Sequence, residues 1–181
     1  REEAWLRTPW LRLGGLGSLY YVGKSDRRQI TAVFNLEFCG CGEFLAIWPV
    51  TAKEASLSAV KQAQQAATRL GIPFRSAHLP WFLISSDHLA FRLKGIANAL
   101  TLSLVPASQI PLLEKLLSDL RFPKLLFRRL ALPEPLSVIH TSEDTSSWLR
   151  EEALRRMLSL VRELAQSHAL TETSRHFLPR T

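Results

Sequence analysis

Two short segments carry the side chains best suited to chemistry: residues 139–145, Ile-His-Thr-Ser-Glu-Asp-Thr, and residues 86–91, Ser-Asp-His-Leu-Ala-Phe. Each sets a histidine, His140 or His88, within a few positions of a carboxylate at the edge of an apolar run. A neutral imidazole is a good ligand for a divalent metal, and a nearby carboxylate fixes its tautomer and orientation. Plainer roles compete: Ser-Asp-His also starts helices, and single histidines also pack in cores. Function therefore turns on whether further ligands stand near these two segments in the folded chain.

Other candidate ligands are few. Cys39 and Cys41 form a lone Cys-x-Cys with no second pair to complete a tetrahedral site. They read as small apolar packing residues, and a bridge between positions two apart in an extended chain would be strained.

The elements that must position His140 and His88 follow from periodicity. Residues 14–22, Gly-Gly-Leu-Gly-Ser-Leu-Tyr-Tyr-Val, predict a loop entering a short helix that Gly23 ends, with a polar turn at 24–28. The apolar, β-branched run at 30–38 predicts a buried strand with Glu37 at its end, and 44–50 predicts a second strand closing at Pro49. Residues 52–70 have helical spacing, with Thr51 as N-cap, Glu54 three positions on and Gly71 just past the end. Short extended pieces at 73–77 and 81–84 deliver Ser86-Asp87-His88, where Asp87 can cap a helix running to Lys94 before Gly95. A strand at 99–105, a proline-marked helix at 112–120 and an irregular stretch at 122–135 follow. Ala153, Met157, Val161 and Leu164 then form the apolar stripe of an amphipathic helix over 147–168, and the tail from 169 to 181 frays.

Strands alternating with helices predict an α/β fold, a three-layer sandwich with a mostly parallel, mixed central sheet flanked by helices. Ligands in such folds collect at strand carboxyl ends, where Glu37, Asp87 and His140 are all expected. The chain's 181 residues suit one domain with a single core. A net charge of +7 raises the question of nucleic acid, but the basic residues are scattered. Even the densest group, Arg121, Lys124, Arg128 and Arg129, is interleaved with Phe122, Leu125, Leu126 and Phe127 as on a solvated helix face, so no nucleic-acid partner is expected. No apolar run reaches the roughly 18 residues of a membrane span, and no segment reads as a signal peptide, so the visible chain is expected to be soluble. It opens at Arg1 and its only methionine is Met157, which suggests a portion of a longer protein lacking its amino-terminal part.

Four segments, in order, resemble the motifs of the zinc aminopeptidases of peptidase family M28, a family that includes glutaminyl cyclases and glutamate carboxypeptidases. Gly-Leu-Gly-Ser at 15–18 with Tyr-Tyr-Val at 20–22 resembles the segment after the family's paired glutamates. Phe34-Asn35-Leu36-Glu37 resembles its Asn-Leu-Asp strand end. Ser86-Asp87-His88 with Phe91, Gly95 and Ile96, and His140-Thr141 with Asp144-Thr145, resemble its two closing motifs. The resemblance covers about residues 14–164 and implies the carboxyl-terminal portion of a zinc-exopeptidase-like domain. It makes His140 a zinc ligand and sets Glu37 where an aspartate binds the second zinc. Asp87, His88 and Asp144 would orient ligands or line the substrate wall. One or two zinc ions and a peptide substrate or ligand are the implied cofactor and partner.

In the family's mechanism zinc polarises the scissile carbonyl and a glutamate takes a proton from water. Two departures bear on this. Counting back from Gly17-Ser18, the paired glutamates fall on Leu11 and Arg12, which can do neither job. Glu2 and Glu3 serve as catalytic residues only if residues 4–13 contain an insertion. An arginine beside the metal would oppose it electrostatically. Two readings stay open: a metal-dependent peptidase that removes amino-terminal residues from peptides, and an inactive relative kept as a binding or scaffold module.

Overall fold

The computed structural model describes residues 6–8, 11–13, 16–48, 57–76, 86–112, 137–138 and 141–176, with the backbone alone for 6–8, 11–13 and 168–176. The expected cap at Thr51 and Glu54, the extended piece at 81–84, the helix expected at 112–120 beyond Leu112, and the stretch at 122–135 lie outside these residues.

Strands β1 (Leu6–Thr8) and β2 (Leu11–Leu13) form an antiparallel pair, so Leu11 and Arg12 sit on a strand. Helix α1 (Leu16–Lys24) follows, then a 3-10 turn (Arg27–Gln29). The main sheet uses β3 (Val33–Leu36), β4 (Phe44–Trp48), β5 (Phe74–Ser76) and β6 (Ala99–Val105), in the order β3-β6-β4-β5. It is mixed: β3 runs parallel to β6 and β4 to β5, while β4 and β6 are antiparallel. Helices α2 (Ser58–Arg69), α3 (His88–Leu93) and α4 (Glu151–His176), with 3-10 turns at Ala107–Gln109 and Ser146–Trp148, complete the described elements.

Residue alternation along β6 sorts the layers. Leu100, Leu102 and Leu104 face one side and join Leu45 and Ile47 of β4 in a core closed by Ala59, Val60, Ala63, Ala66 and Ala67 of α2 and by Ala153, Met157, Leu160 and Leu164 of α4. The alanines let α2 approach the sheet closely. The other side of β6 presents Ala99, Thr101 and Ser103, and α3 packs there, with α1 against α3. The result is the expected three-layer α/β arrangement.

Several boundaries move for identifiable reasons. Strand β3 is shorter than the apolar run: it begins at Val33, beyond the 3-10 turn at 27–29, and regular strand ends at Leu36, before Phe38 with its φ of 52°. Helix α1 runs through Gly23 to Lys24. Helix α2 begins at Ser58 with Leu57 in the N-cap position and no side-chain cap. It ends as expected, with Gly71 at φ 64° and Ile72 N–H donating to the Ala67 carbonyl. On α4 the buried stripe uses Leu160, fully buried, while Val161 is 36% exposed. The helix also continues past Ala169 to His176. Arg69 of α2 meets Glu163 of α4 at 2.7 Å, a half-exposed pair that contributes no more than about 1 kcal/mol.

Candidate functional site

The polar face of the sheet is built by register. Asn35 of β3, Thr101 of β6 and Trp48 of β4 stand side by side, since Asn35 pairs with Thr101 and Thr101 with Trp48. Thr101 and its neighbour Ser103 are buried, at 1% and 0% exposure, so each hydroxyl must find a protein partner. Ser103 Oγ accepts from the Trp48 indole N–H at 3.0 Å. Thr101 Oγ1 lies 2.6 Å from Ser86 Oγ and 2.8 Å from His88 Nδ1, and Ser86 Oγ is 2.9 Å from the same nitrogen. His88 and Ser86 are themselves buried.

Asn35 ties this cluster to a carboxylate. Its Nδ2 donates to Glu37 Oε1 at 2.9 Å and also reaches Ser86 Oγ at 2.9 Å and Thr101 Oγ1 at 3.2 Å. Glu37 stands just past the carboxyl end of β3, as expected. Burial pushes its carboxyl above the ordinary value of 4.5, hydrogen bonds from Asn35 and Ser86 oppose the rise, and the charge of Asp87 adds to it.

The backbone holds this carboxylate in place. Glu37 N–H donates to the Leu102 carbonyl at 3.0 Å, and Phe38 C=O accepts from Leu104 N–H at 3.2 Å. Between those two bonds Phe38 takes a left-handed conformation that a bulky side chain normally avoids at roughly 1–2 kcal/mol. The chain then passes Gly42 so close to β6 that an added Cβ would lie 2.0 Å from the Val105 carbonyl carbon. Only glycine fits there.

Asp87 occupies the N-cap position of α3 but makes no capping bond, contrary to its expected role. Its carboxylate instead accepts from Ser18 Oγ of α1 at 2.7 Å. Tyr21 of α1 and Phe91 of α3 reinforce the contact, with ring centroids 6.2 Å apart. Two motifs separated by 69 positions in the chain therefore meet directly.

Asp144 lies on an exposed turn shaped by Thr141, whose hydroxyl donates to the Val138 carbonyl at 2.6 Å and accepts from Glu143 N–H at 3.1 Å. Its charge reaches Cys41, whose thiol is pushed up by burial first and by Asp144 second, and held down by a backbone hydrogen bond at Gly40 and by Arg150. Burial, then the neighbouring Cys41 and Glu37, pushes the Cys39 thiol up to about 11, and both cysteines are free. Packing of Cys39 against the core accords with the apolar role expected of it.

The structure thus brings Glu37, Asp87 and His88 into one neighbourhood and places Asp144 on a separate exposed turn. His140, Glu2 and Glu3 lie outside the described residues. Asn35, Ser86, Thr101 and Ser18 carry the geometry and received no role in the sequence reading. The signal for Thr101 was present: polar Thr101 and Ser103 alternate with leucines inside an otherwise apolar strand.

A zinc site needs three or four donors. Among the described residues no group of three or more His, Cys, Asp or Glu side chains could hold an ion. Glu37 presents one carboxylate, already bonded to protein donors, so the described residues do not by themselves complete a zinc site.

Comparison with known proteins accords with this architecture. A solved structure of BSAP, a zinc aminopeptidase from Bacillus subtilis, superposes with a TM-score of 0.60 at 20% identity, over 84% of this chain and 32% of that one. The chain thus spans about a third of that protein's length, and the likeness is one of fold. No curated protein matches in sequence. No described helix is long and apolar enough to cross a membrane. The sequence pattern of Peptidase family M28 matches residues 1–165, nearly the whole chain, and the protein belongs to that family.

Proposed function

We propose that this chain is the carboxyl-terminal part of a metal-dependent exopeptidase domain that removes amino-terminal residues from peptides, with Glu37 and His140 as zinc ligands. The observation that carries this reading is the Glu37 carboxylate, fixed just past the carboxyl end of β3 by Asn35 and Ser86. That is where an α/β sheet gathers its ligands. Zinc bound there would supply an electrophile for a peptide carbonyl. The residues of this chain would hold and orient: Glu37 through its Asn35 bond, and Asp87 through Ser18, which fixes α3 against α1. Glu2 and Glu3 are the candidates for moving a proton from water.

A second reading, an inactive relative that binds peptide, draws on one specific feature. Glu37 Oε1 is satisfied by a protein donor with no cation required. Zinc content of the purified chain, measured by mass spectrometry beside Glu37→Ala and His140→Ala, separates the two. Stoichiometric zinc lost in both variants, with hydrolysis of leucine p-nitroanilide, supports the peptidase. Zinc at background in the wild type would overturn zinc binding by Glu37 and His140 in this chain and favour the binding module.

A further inference from the structure

At the opposite end of the parallel β3–β6 pair, away from Glu37, an open concavity of about 510 Å³ is lined by Arg27, Arg28, Lys94, Gly95, Ile96 and Asn98 among others. No Asp or Glu is among its lining residues. The three cations come from segments far apart in sequence and are brought together by specific bonds. The Arg27 guanidinium donates to the Lys94 carbonyl at 2.7 Å across 67 positions, and Asn98 Nδ2 donates to the Thr31 carbonyl at 3.3 Å. Asp26 Oδ1 accepts from Arg28 N–H at 3.1 Å, which fixes the turn that presents both arginines. Gly95, at φ 89°, lets the chain leave α3 sharply enough to set Lys94 on the rim.

Asp26, in the same turn, is engaged with the backbone of that turn and with Gln29. Among the described residues neither Arg28 nor Lys94 has an ion-pair partner. Like charges held around one concavity repel, and a multiply charged anion relieves that repulsion more fully than diffuse counterions do. Guanidinium forks pair with phosphate oxygens two at a time, and an ammonium adds a point charge.

We infer that the concavity between the Arg27–Gln29 turn and the end of α3 is a binding site for a phosphate group carrying two or more negative charges. Its amino-end position makes it separate from the strand end that holds Glu37, so the inference stands whether or not the domain cleaves peptides. The phosphate could be carried by a small molecule or by a lipid headgroup.

Calorimetric titration with inorganic pyrophosphate at low salt tests the site, using wild type, the double variant Arg28→Glu with Lys94→Glu, and Arg156→Glu. The last changes an exposed cation on α4, half the net-charge change of the double variant, and reports what a charge change away from the concavity does. Circular dichroism of each variant confirms folding. Saturable binding that weakens about tenfold or more in the double variant and stays unchanged in Arg156→Glu supports the site. Absent binding, or equal loss in the control, overturns it. Sedimentation with phosphatidylcholine vesicles containing phosphatidylinositol bisphosphate separates the sources. Binding to these vesicles as well as to pyrophosphate assigns the group to a lipid, and binding to pyrophosphate alone assigns it to a small molecule.

Discussion

The hydroxyls of Ser86 and Thr101 back each other up, and a double-mutant cycle exposes this. In the native chain both lie within 2.9 Å of His88 Nδ1 and both lie within reach of the Asn35 amide. Thr101→Val keeps the shape of the side chain. Asn35 can still donate to Glu37 and Ser86, and Ser86 still serves His88. Ser86→Ala leaves Thr101 in the same position. Each single change therefore removes one short hydroxyl pair and strands nothing, at about 1 kcal/mol. The double variant leaves His88 Nδ1 without either hydroxyl and Asn35 with Glu37 as its only remaining acceptor of the three. Loss of both hydroxyls beside the buried imidazole adds about 1–3 kcal/mol, while Asn35 keeps one acceptor. The expected coupling is thus about 2 kcal/mol beyond the sum of the singles. This holds for either tautomer of His88, since a hydroxyl can donate or accept. Urea unfolding followed by tryptophan fluorescence gives the energies, the coupling alone moving the midpoint by about 1 M. Additivity within about 0.5 kcal/mol would refute the shared network.

Three further outcomes follow from named contacts. Gly42→Ala drives a Cβ into the backbone of Val105 and Pro106, which cannot rotate away, so it should cost at least about 1–3 kcal/mol, read by thermal unfolding. Leu160→Ala should cost about 2–5 kcal/mol and Val161→Ala about 1 kcal/mol or less, since only Leu160 is fully buried; equal losses in urea unfolding would contradict the stripe described for α4. The raised folded-state pKa of Glu37 has a definite sign. Relative to the unfolded chain, its contribution to stability is greatest below 4.5 and is lost as pH rises from there through the raised folded value. In metal-free protein Glu37→Gln should flatten that fall, and an unchanged pH profile of unfolding would show that burial does not govern this carboxyl.

The legible parts of the fold were those set by local pattern. Strand β6 matched its apolar run from Ala99 to Val105, and Gly71 and Gly95 marked helix ends because left-handed backbone there favours glycine. The α4 stripe was misplaced by one residue because Leu160 and Val161 are both apolar neighbours on the helix, and only the position of the sheet decides between them. The site was legible in its carboxylate and not in its support. Asp87 in a Ser-Asp-His triplet reads as a cap, and its actual bond to Ser18 depends on α1 lying beside α3, which no local pattern encodes. Asn35 and Thr101 meet only through the β3–β6 register, a pairing between segments separated by 66 positions.

The difference between Glu37 and the aspartate of the family pattern is one methylene, and it shapes the chemistry of the strand end. The extra reach, about a bond length, goes with contacts to Asn35 two residues back and Ser86 across the sheet, so donors partly offset the burial of a charged group. Those donors are in turn held by Thr101 and His88. The Asn35 amide holds Oε1 of Glu37. The hydrogen bonding of this carboxylate is therefore set by the whole cluster. The polar face of β6, buried and fully committed to hydrogen bonds, is what makes a carboxylate at 37 tolerable in the fold before it does anything else.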